Sequence, residues 1–331
     1  MKEINESVGI DVSKDTLDAH IYGKKVSAKF SNNQAGYKRL INWTKEHGGS
    51  LESVIVCFEH TGIYSLSLAT YLEQNRLSFA MVPALEIKRS MGMVRGKNDA
   101  VDAQRIAEYA FLRRHSIRRT VLPGKRILQL KALLGLRERM VAQRAGYTAS
   151  STELKLAFSV KEYKELFKAQ AAVVATLTKQ IKILEAKIRQ LINDDSEVKG
   201  LYELVTSIKG IGLIVAANLI VTTNSFMNFE NSRQLACYCG IAPFEKQSGT
   251  SLRTKSRVSH YANKKLKVLL NLAANSVVQK DAELKGYYER RLAEGKSKMS
   301  TLNIVRNKLL HRVFAVVKRR TPYVEIQKWA A

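Results

Sequence analysis

The chain has 331 residues, 45% of them hydrophobic, which suits two or three packed domains and excludes wholesale disorder. Lys and Arg number 55 against 29 Asp and Glu, a formal net charge of +26 that points to a polyanion, nucleic acid ahead of an anionic membrane. No signal-peptide pattern and no bilayer-length apolar run is read, and three cysteines (Cys57, Cys237, Cys239) exclude a disulfide framework and suit a reducing cytoplasm.

Residues 7–30 read as strands, because apolar β-branched residues alternate with polar ones and turn residues interrupt them. A helix follows over "NQAGYKRLINWTKEHG", closed by Gly48 and Gly49. "SVIVCFEHTG" is a buried-strand pattern running into a turn, "IYSLSLATYLEQNR" a helix and "LSFAMVPA" a further strand. "DAVDAQRIAEYAFLRR" is a helix that begins with acids and ends with bases, as the helix dipole prefers. Early strands followed by alternating helices and strands predict an α/β domain with a mixed sheet over residues 1–115.

Pro123 and Gly124 mark a break, after which the chain turns helical. Leu177, Ile181, Leu184, Ile188 and Leu191 follow heptad spacing, so residues 116–198 read as a helical linker. An antiparallel hairpin, an intermolecular coiled coil and an ordinary amphipathic helix all fit that pattern, and each offers a face for association. Residues 199–331 form a mainly helical third segment. In "SIKGIG", Gly210 and Gly212 have the spacing of a helix-hairpin-helix turn, whose N–H groups meet phosphate, although close helix packing explains them equally. "KQSGTSLRTKSRVSHYANKKLK", residues 246–267, holds seven Lys or Arg and no acid. Its Ser- and Gly-rich first half reads as a loop or hairpin and its second half enters a helix. Arg253, Lys255, Arg257, Lys264 and Lys265 are candidate phosphate contacts. Cys237 and Cys239 form a bare C-x-C without a second ligand pair, so they read as small buried residues.

The charge is uneven. Residues 1–115 carry 16 basic and 13 acidic side chains, residues 116–199 carry 17 and 8, and residues 200–331 carry 22 and 8. The near-balanced first segment holds four acids of interest. Asp11 lies in a strand, Glu59 at the end of another, and Asp99 and Asp102 one turn apart at a helix start. A ribonuclease-H-like fold gathers acids placed in this way. Carboxylates so gathered repel unless cations neutralise them, and hard oxygen donors suit magnesium or manganese. Taken singly, Asp99 is also an ordinary helix cap and Asp11 an ordinary turn residue.

"GIDVSK", "FEHTGIY", "KNDAVDA", "IKGIG" and "GIAPFEKQSGTSLRTKSRVS" occur in this order, and together the chain resembles the DEDD-type transposases of bacterial insertion sequences, the IS110/IS1111 family. The resemblance implies a RuvC-like N-terminal domain, a coiled-coil linker and a C-terminal transposase domain. It implies that Asp11, Glu59, Asp99 and Asp102 hold Mg2+, or Mn2+, and that Ser248 is a nucleophile forming a serine–phosphate link to DNA. From the residues alone Ser248 is a turn or phosphate-contact side chain, with Thr250, Ser251, Ser256 and Ser259 as rivals. The resemblance further implies donor and target DNA, a bridge RNA as guide, and a homo-oligomeric site. His60 stands where the family pattern has a small residue. Two other readings stay open: a RuvC-like hydrolytic nuclease or junction resolvase that uses water, and a non-catalytic nucleic-acid scaffold.

Overall fold

Gly9 sets the architecture of the first unit. A Cβ built there would lie 2.1 Å from the Ala107 nitrogen and 2.2 Å from the Ala103 oxygen, so only a glycine lets a helix rest directly on the central strand. That strand is β1 (Glu6–Val12), flanked by β2 (Thr16–Ile21), β3 (Val26–Ser31), β4 (Val54–Glu59) and β5 (Phe79–Val82). The sheet order is β3-β2-β1-β4-β5, antiparallel from β3 to β1 and parallel from β1 to β5. This is the mixed sheet expected, and it is compatible with a RuvC-like fold. The computed structural model describes residues 3–90, 99–248 and 252–325, with backbone alone for 99–100, 246–248 and 252–256.

The alternation of each strand divides the core into two layers. Val8, Ile10, Val56 and Phe58 face α1 (Gln34–Gly48) and α2 (Ile63–Gln74), packing with Leu40, Leu68 and Leu72. Cys57, Ala80 and Val82 face the other way, against Ile106, Tyr109 and Ala110 of α4 (Asp99–Leu112). Each fully buried Ile, Leu or Phe contributes about 1.5–3 kcal/mol of apolar transfer. A short helix, α3 (Ala84–Ser90), absent from the sequence reading, follows β5. The first unit runs from Met1 to Leu122, beyond the expected limit at 115. Two hydrogen bonds explain the extension: Thr120 N–H donates to the Phe79 backbone oxygen and Leu122 N–H to the Glu73 carboxylate Oε1, and Leu122 is buried.

Residues 123–331, which hold the expected helical linker and C-terminal segment, form one compact unit. α5 (Lys125–Ala157) and α6 (Lys164–Asn193) make an antiparallel hairpin. Its base packs Ile127, Leu130 and Leu134 against Ile188, Leu191 and Ile192, and Arg137 pairs with Glu185 at 2.7 Å. The antiparallel hairpin, one of the arrangements that the heptads allowed, is present within the chain. The same core takes in Val198 and Leu201 of α7 (Ser196–Thr206) and Ala217 and Ile220 of α8 (Leu213–Thr223), which ties the hairpin to the C-terminal helices.

The chain continues through α9 (Ser232–Tyr238), the hairpin β6 (Pro243–Ser248) and β7 (Leu252–Val258), α10 (Lys264–Lys280), α11 (Ala282–Ala293) and α12 (Lys298–Arg319). Leu270, Val277, Val305, Leu309 and Val313 form the second core. No helix among the described residues is long and apolar enough to cross a membrane.

Candidate active site

β1 and β4 are parallel and in register, with Ile10 opposite Phe58. Asp11 and Glu59 are therefore neighbours on adjacent strands, with backbones about 4.8 Å apart at the C-terminal edge of the sheet. Strand alternation fixes their face. Ser7 donates its hydroxyl proton to the Ala107 oxygen at 2.7 Å and Gly9 touches Ala103, so Asp11 projects to the α4 side. Cys57 also lies on that side, and so does Glu59, two residues further on. Burial, with the charges of Glu86 and Glu59, pushes the Cys57 thiol up to about 12.

α4 runs opposite to β1. Ala107 lies beside Ser7, and Ala103 and Ala107 lie beside Gly9, so the first turn of α4 arrives at the level of Asp11. Asp99 opens that turn, one turn before Ala103, and Asp102 stands one turn before the buried Ile106. The fold thus brings the four predicted positions to one edge of one unit. Asp102 is half-buried and accepts from Arg105 Nη1 at 2.9 Å. Asp11 and Glu59 are half-buried as well, and the Asp99 side chain lies outside the described residues.

Two residues of this edge escaped the sequence reading. Asp18 lies directly across from Asp11 in the β1–β2 pairing, which puts a further carboxylate on the α4 face. Like charges placed so are unfavourable, and Lys29, 3.2 Å from Asp18 Oδ2, relieves this one. The turn at residues 13–16 was the signal, because hairpin register follows from turn length. Asn32 is the other. Its Nδ2 donates to the oxygens of Ser13 at 2.8 Å and Tyr64 at 3.3 Å, and its Oδ1 accepts from the Tyr37 hydroxyl at 2.6 Å. It ties the turn after Asp11 to the helix start after Glu59. His60 is exposed, and its Nδ1 accepts from the Gly62 N–H at 3.3 Å, within a turn where Gly62 has φ 70°.

In kind, the donors suit a hard divalent ion, since all four are carboxylates. Among the described residues no three His, Cys, Asp or Glu side chains stand close enough to hold one. The Asp99 carboxylate is not among those side chains.

In the second unit, Ser248 ends β6 and pairs with Leu252 of β7, so the expected loop or hairpin is a hairpin. Lys255 and Ser256 oppose the single residue Glu245 at a register shift between Phe244 and Lys246. The hairpin rises from a fixed base: Asn303 Nδ2 donates to the Ile241 oxygen at 2.7 Å, and Asn263 N–H donates to the Tyr238 oxygen at 2.8 Å. The side chains of Ser248, Arg253, Lys255 and Ser256 lie outside the described residues, as do Thr250 and Ser251 entirely. Arg257 and Lys264 are exposed, whereas Lys265 pairs with Glu138 of α5 at 2.6 Å. Gly210 has a packing reason: at φ 85° its built Cβ lies 2.9 Å from the Ala273 oxygen and from Val277 Cβ of α10. Gly212 is exposed, with nothing within 4 Å of its built Cβ, and it caps α8. Cys239 is buried, with its thiol pushed up to about 12 by desolvation.

Comparison with known proteins covers both units. Residues 8–154 match the DEDD_Tnp_IS110 family, described as a transposase, and residues 202–289 match the Transposase IS116/IS110/IS902 family. A pilin gene-inverting protein of Moraxella bovis is 27% identical over 96% of this chain and 97% of its own length. The transposase for insertion sequence element IS1111A of Coxiella burnetii is 28% identical over 69% of this chain and 68% of its own. A Streptomyces coelicolor protein of insertion element IS110 is 31% identical over 46% of this chain and 36% of its own.

Proposed function

Because the chain belongs to the IS110 family of transposases, we propose that it cuts and rejoins DNA through a covalent serine–phosphate intermediate, with Ser248 as nucleophile and Asp11, Glu59, Asp99 and Asp102 as the ligands of Mg2+. The observation that carries this reading is the meeting of Asp11 and Glu59 with the first turn of α4 at one sheet edge. The Ser248 oxygen attacks a DNA phosphorus, and the bond from that phosphorus to the 3′ oxygen breaks. The 3′ oxygen leaves with the proton that the serine gives up. The phosphoserine bond conserves the energy of the broken diester, so rejoining by a 3′ hydroxyl needs no nucleotide cofactor. Magnesium, when bound by such carboxylates, supplies Lewis-acid stabilisation of charge on the phosphoryl oxygens. Arg253, Lys255 and Arg257 of β7 and Lys264 at the start of α10 are placed in sequence to hold phosphates near the serine.

Sequence choice in this reading comes from a bridge RNA paired with donor and target DNA, and several strands are cut together in a homo-oligomer. The net charge of +26 supports polyanionic partners of this kind. Gene inversion, which the Moraxella bovis relative is named for, and insertion both require strands to be cut and rejoined.

Strand cleavage on a plasmid carrying the element ends tests the reading, with the protein co-expressed with its flanking DNA. Asp11→Asn, Glu59→Gln and Ser248→Ala should each abolish cleavage while DNA binding persists. Cleavage retained in Ser248→Ala but lost in Asp11→Asn would replace the serine with water and leave a hydrolytic nuclease.

A further inference from the structure

Most of the net positive charge of the first unit comes from one segment, at the end of α4 away from its acidic first turn. Residues 1–112 carry 14 Lys and Arg against 13 acids, whereas residues 113–119, "RRHSIRR", hold four Arg, one His and no acid. This segment follows the last turn of α4. The helix has 14 residues, so about 20 Å separates it from the acidic first turn. Helix-dipole pairing accounts for Arg114, whose Nη1 donates to the Phe111 oxygen at 2.9 Å, and a cation–π contact for Arg113, which lies over the Tyr109 ring at 5.0 Å. Arg118 and Arg119 follow the helix end.

Those residues line a cavity of about 540 Å³, bounded by Ile4, Ile117, Arg114, His115, Arg118 and Arg119, with Glu3 as its acid. A second cavity of about 350 Å³ shares Ile117 and Arg118 with the first. Duplex nucleic acid presents phosphates on a convex surface and keeps its bases stacked inside. A site with a partly exposed isoleucine, Ile117, under a guanidinium rim suits an unstacked base with its own phosphates. We propose that the cavity bounded by Ile117, Arg114, Arg118 and Arg119 is a binding site for single-stranded nucleic acid, holding an unpaired base against Ile117 and its phosphates on the arginines. The site is a contact for the strand and takes no part in cutting. It does not depend on the serine chemistry, since its test reads binding alone.

The test is photocrosslinking of the full chain to short single strands carrying 4-thiothymidine or 4-thiouridine, with the modified peptide read by mass spectrometry. Crosslinks are expected within residues 113–119, displaced by unlabelled single strand and not by duplex of the same sequence. Stronger labelling by the ribose or the deoxyribose strand identifies its source as RNA or DNA. Arg114→Gln/Arg118→Gln/Arg119→Gln should lower these crosslinks at least about tenfold and reduce the salt slope of single-strand binding by about 0.7 for each phosphate no longer neutralised. Arg119→Glu alone, at an exposed position, should lower them too, which keeps the test readable if the triple variant does not fold. Crosslinks confined to other parts of the chain, or displaced equally by duplex, would overturn the proposal.

Discussion

At Gly9 a methyl group has no space, since the Ala107 and Ala103 backbones lie within 2.2 Å of where it would stand. Gly9→Ala should therefore push α4 off the sheet, at a cost of about 1–3 kcal/mol or more in urea unfolding, and displace Asp102 with it. Strand cleavage should fall further than stability alone explains. Asn32→Ala removes two bonds that link the turn after Asp11 to the start of α2; about 1–2 kcal/mol of stability should go, and Asn32→Gln should not restore it. The cysteines give a check on burial. Cys57 and Cys239 are buried, with thiols pushed up to about 12, so both stay protonated and inert at pH 8, whereas Cys237 is partly exposed. Iodoacetamide should label Cys237 in the native protein, with the other two reacting only after unfolding. At this scale the sequence made Asp11 and Glu59 legible, because strand alternation and a following turn mark a strand end. It did not mark Gly9 or Asn32, whose partners come from sequence far away and are invisible to any local period.

At the scale of elements, the heptad residues Ile181, Ile188 and Leu191 form one seam, as their spacing implies, and the seam is covered by α5 of the same chain. Ile188→Ala should cost about 2–5 kcal/mol in urea, whereas Ile183→Ala, 51% exposed, should change stability by less than about 0.5 kcal/mol. Which partner covers a heptad seam depends on where the chain reverses, here at residues 158–163, and periodicity does not carry that information. The strands and first helices were legible because their apolar periods are unbroken. α3 spans only seven residues, too few to display a helical period. α12 buries Thr301 and Arg306 within its apolar stripe, which blurs the pattern that would announce it. Gly210 had two readings, and its left-handed backbone against α10 accounts for it as packing. Gly210→Ala should lower the stability of the second unit by at least about 1 kcal/mol whatever it does to DNA binding.

At the scale of the whole molecule, two units with separate cores carry the two halves of the proposed chemistry: the carboxylates in residues 1–122 and Ser248 in residues 123–331. The first family match crosses this division, since it runs on to residue 154, through most of α5. The Pro123–Gly124 break was legible. The segment just before it was not, because residues 116–122 join the first unit through a backbone bond to β5 and a bond to the Glu73 side chain of α2 rather than through any pattern of their own. A fragment of residues 1–122 should consequently unfold cooperatively, whereas one ending at 115 should not, because it lacks the Leu122 and Thr120 anchors. The central claim is that DNA passes through a bond to Ser248, and one measurement addresses it most directly. The protein is co-expressed with its flanking DNA and a plasmid bearing the element ends, denatured, digested and searched by mass spectrometry for a nucleotide adduct. The account predicts an adduct on Ser248 that disappears in Ser248→Ala together with strand cleavage. Cleaved DNA without an adduct, unchanged in Ser248→Ala, would contradict it.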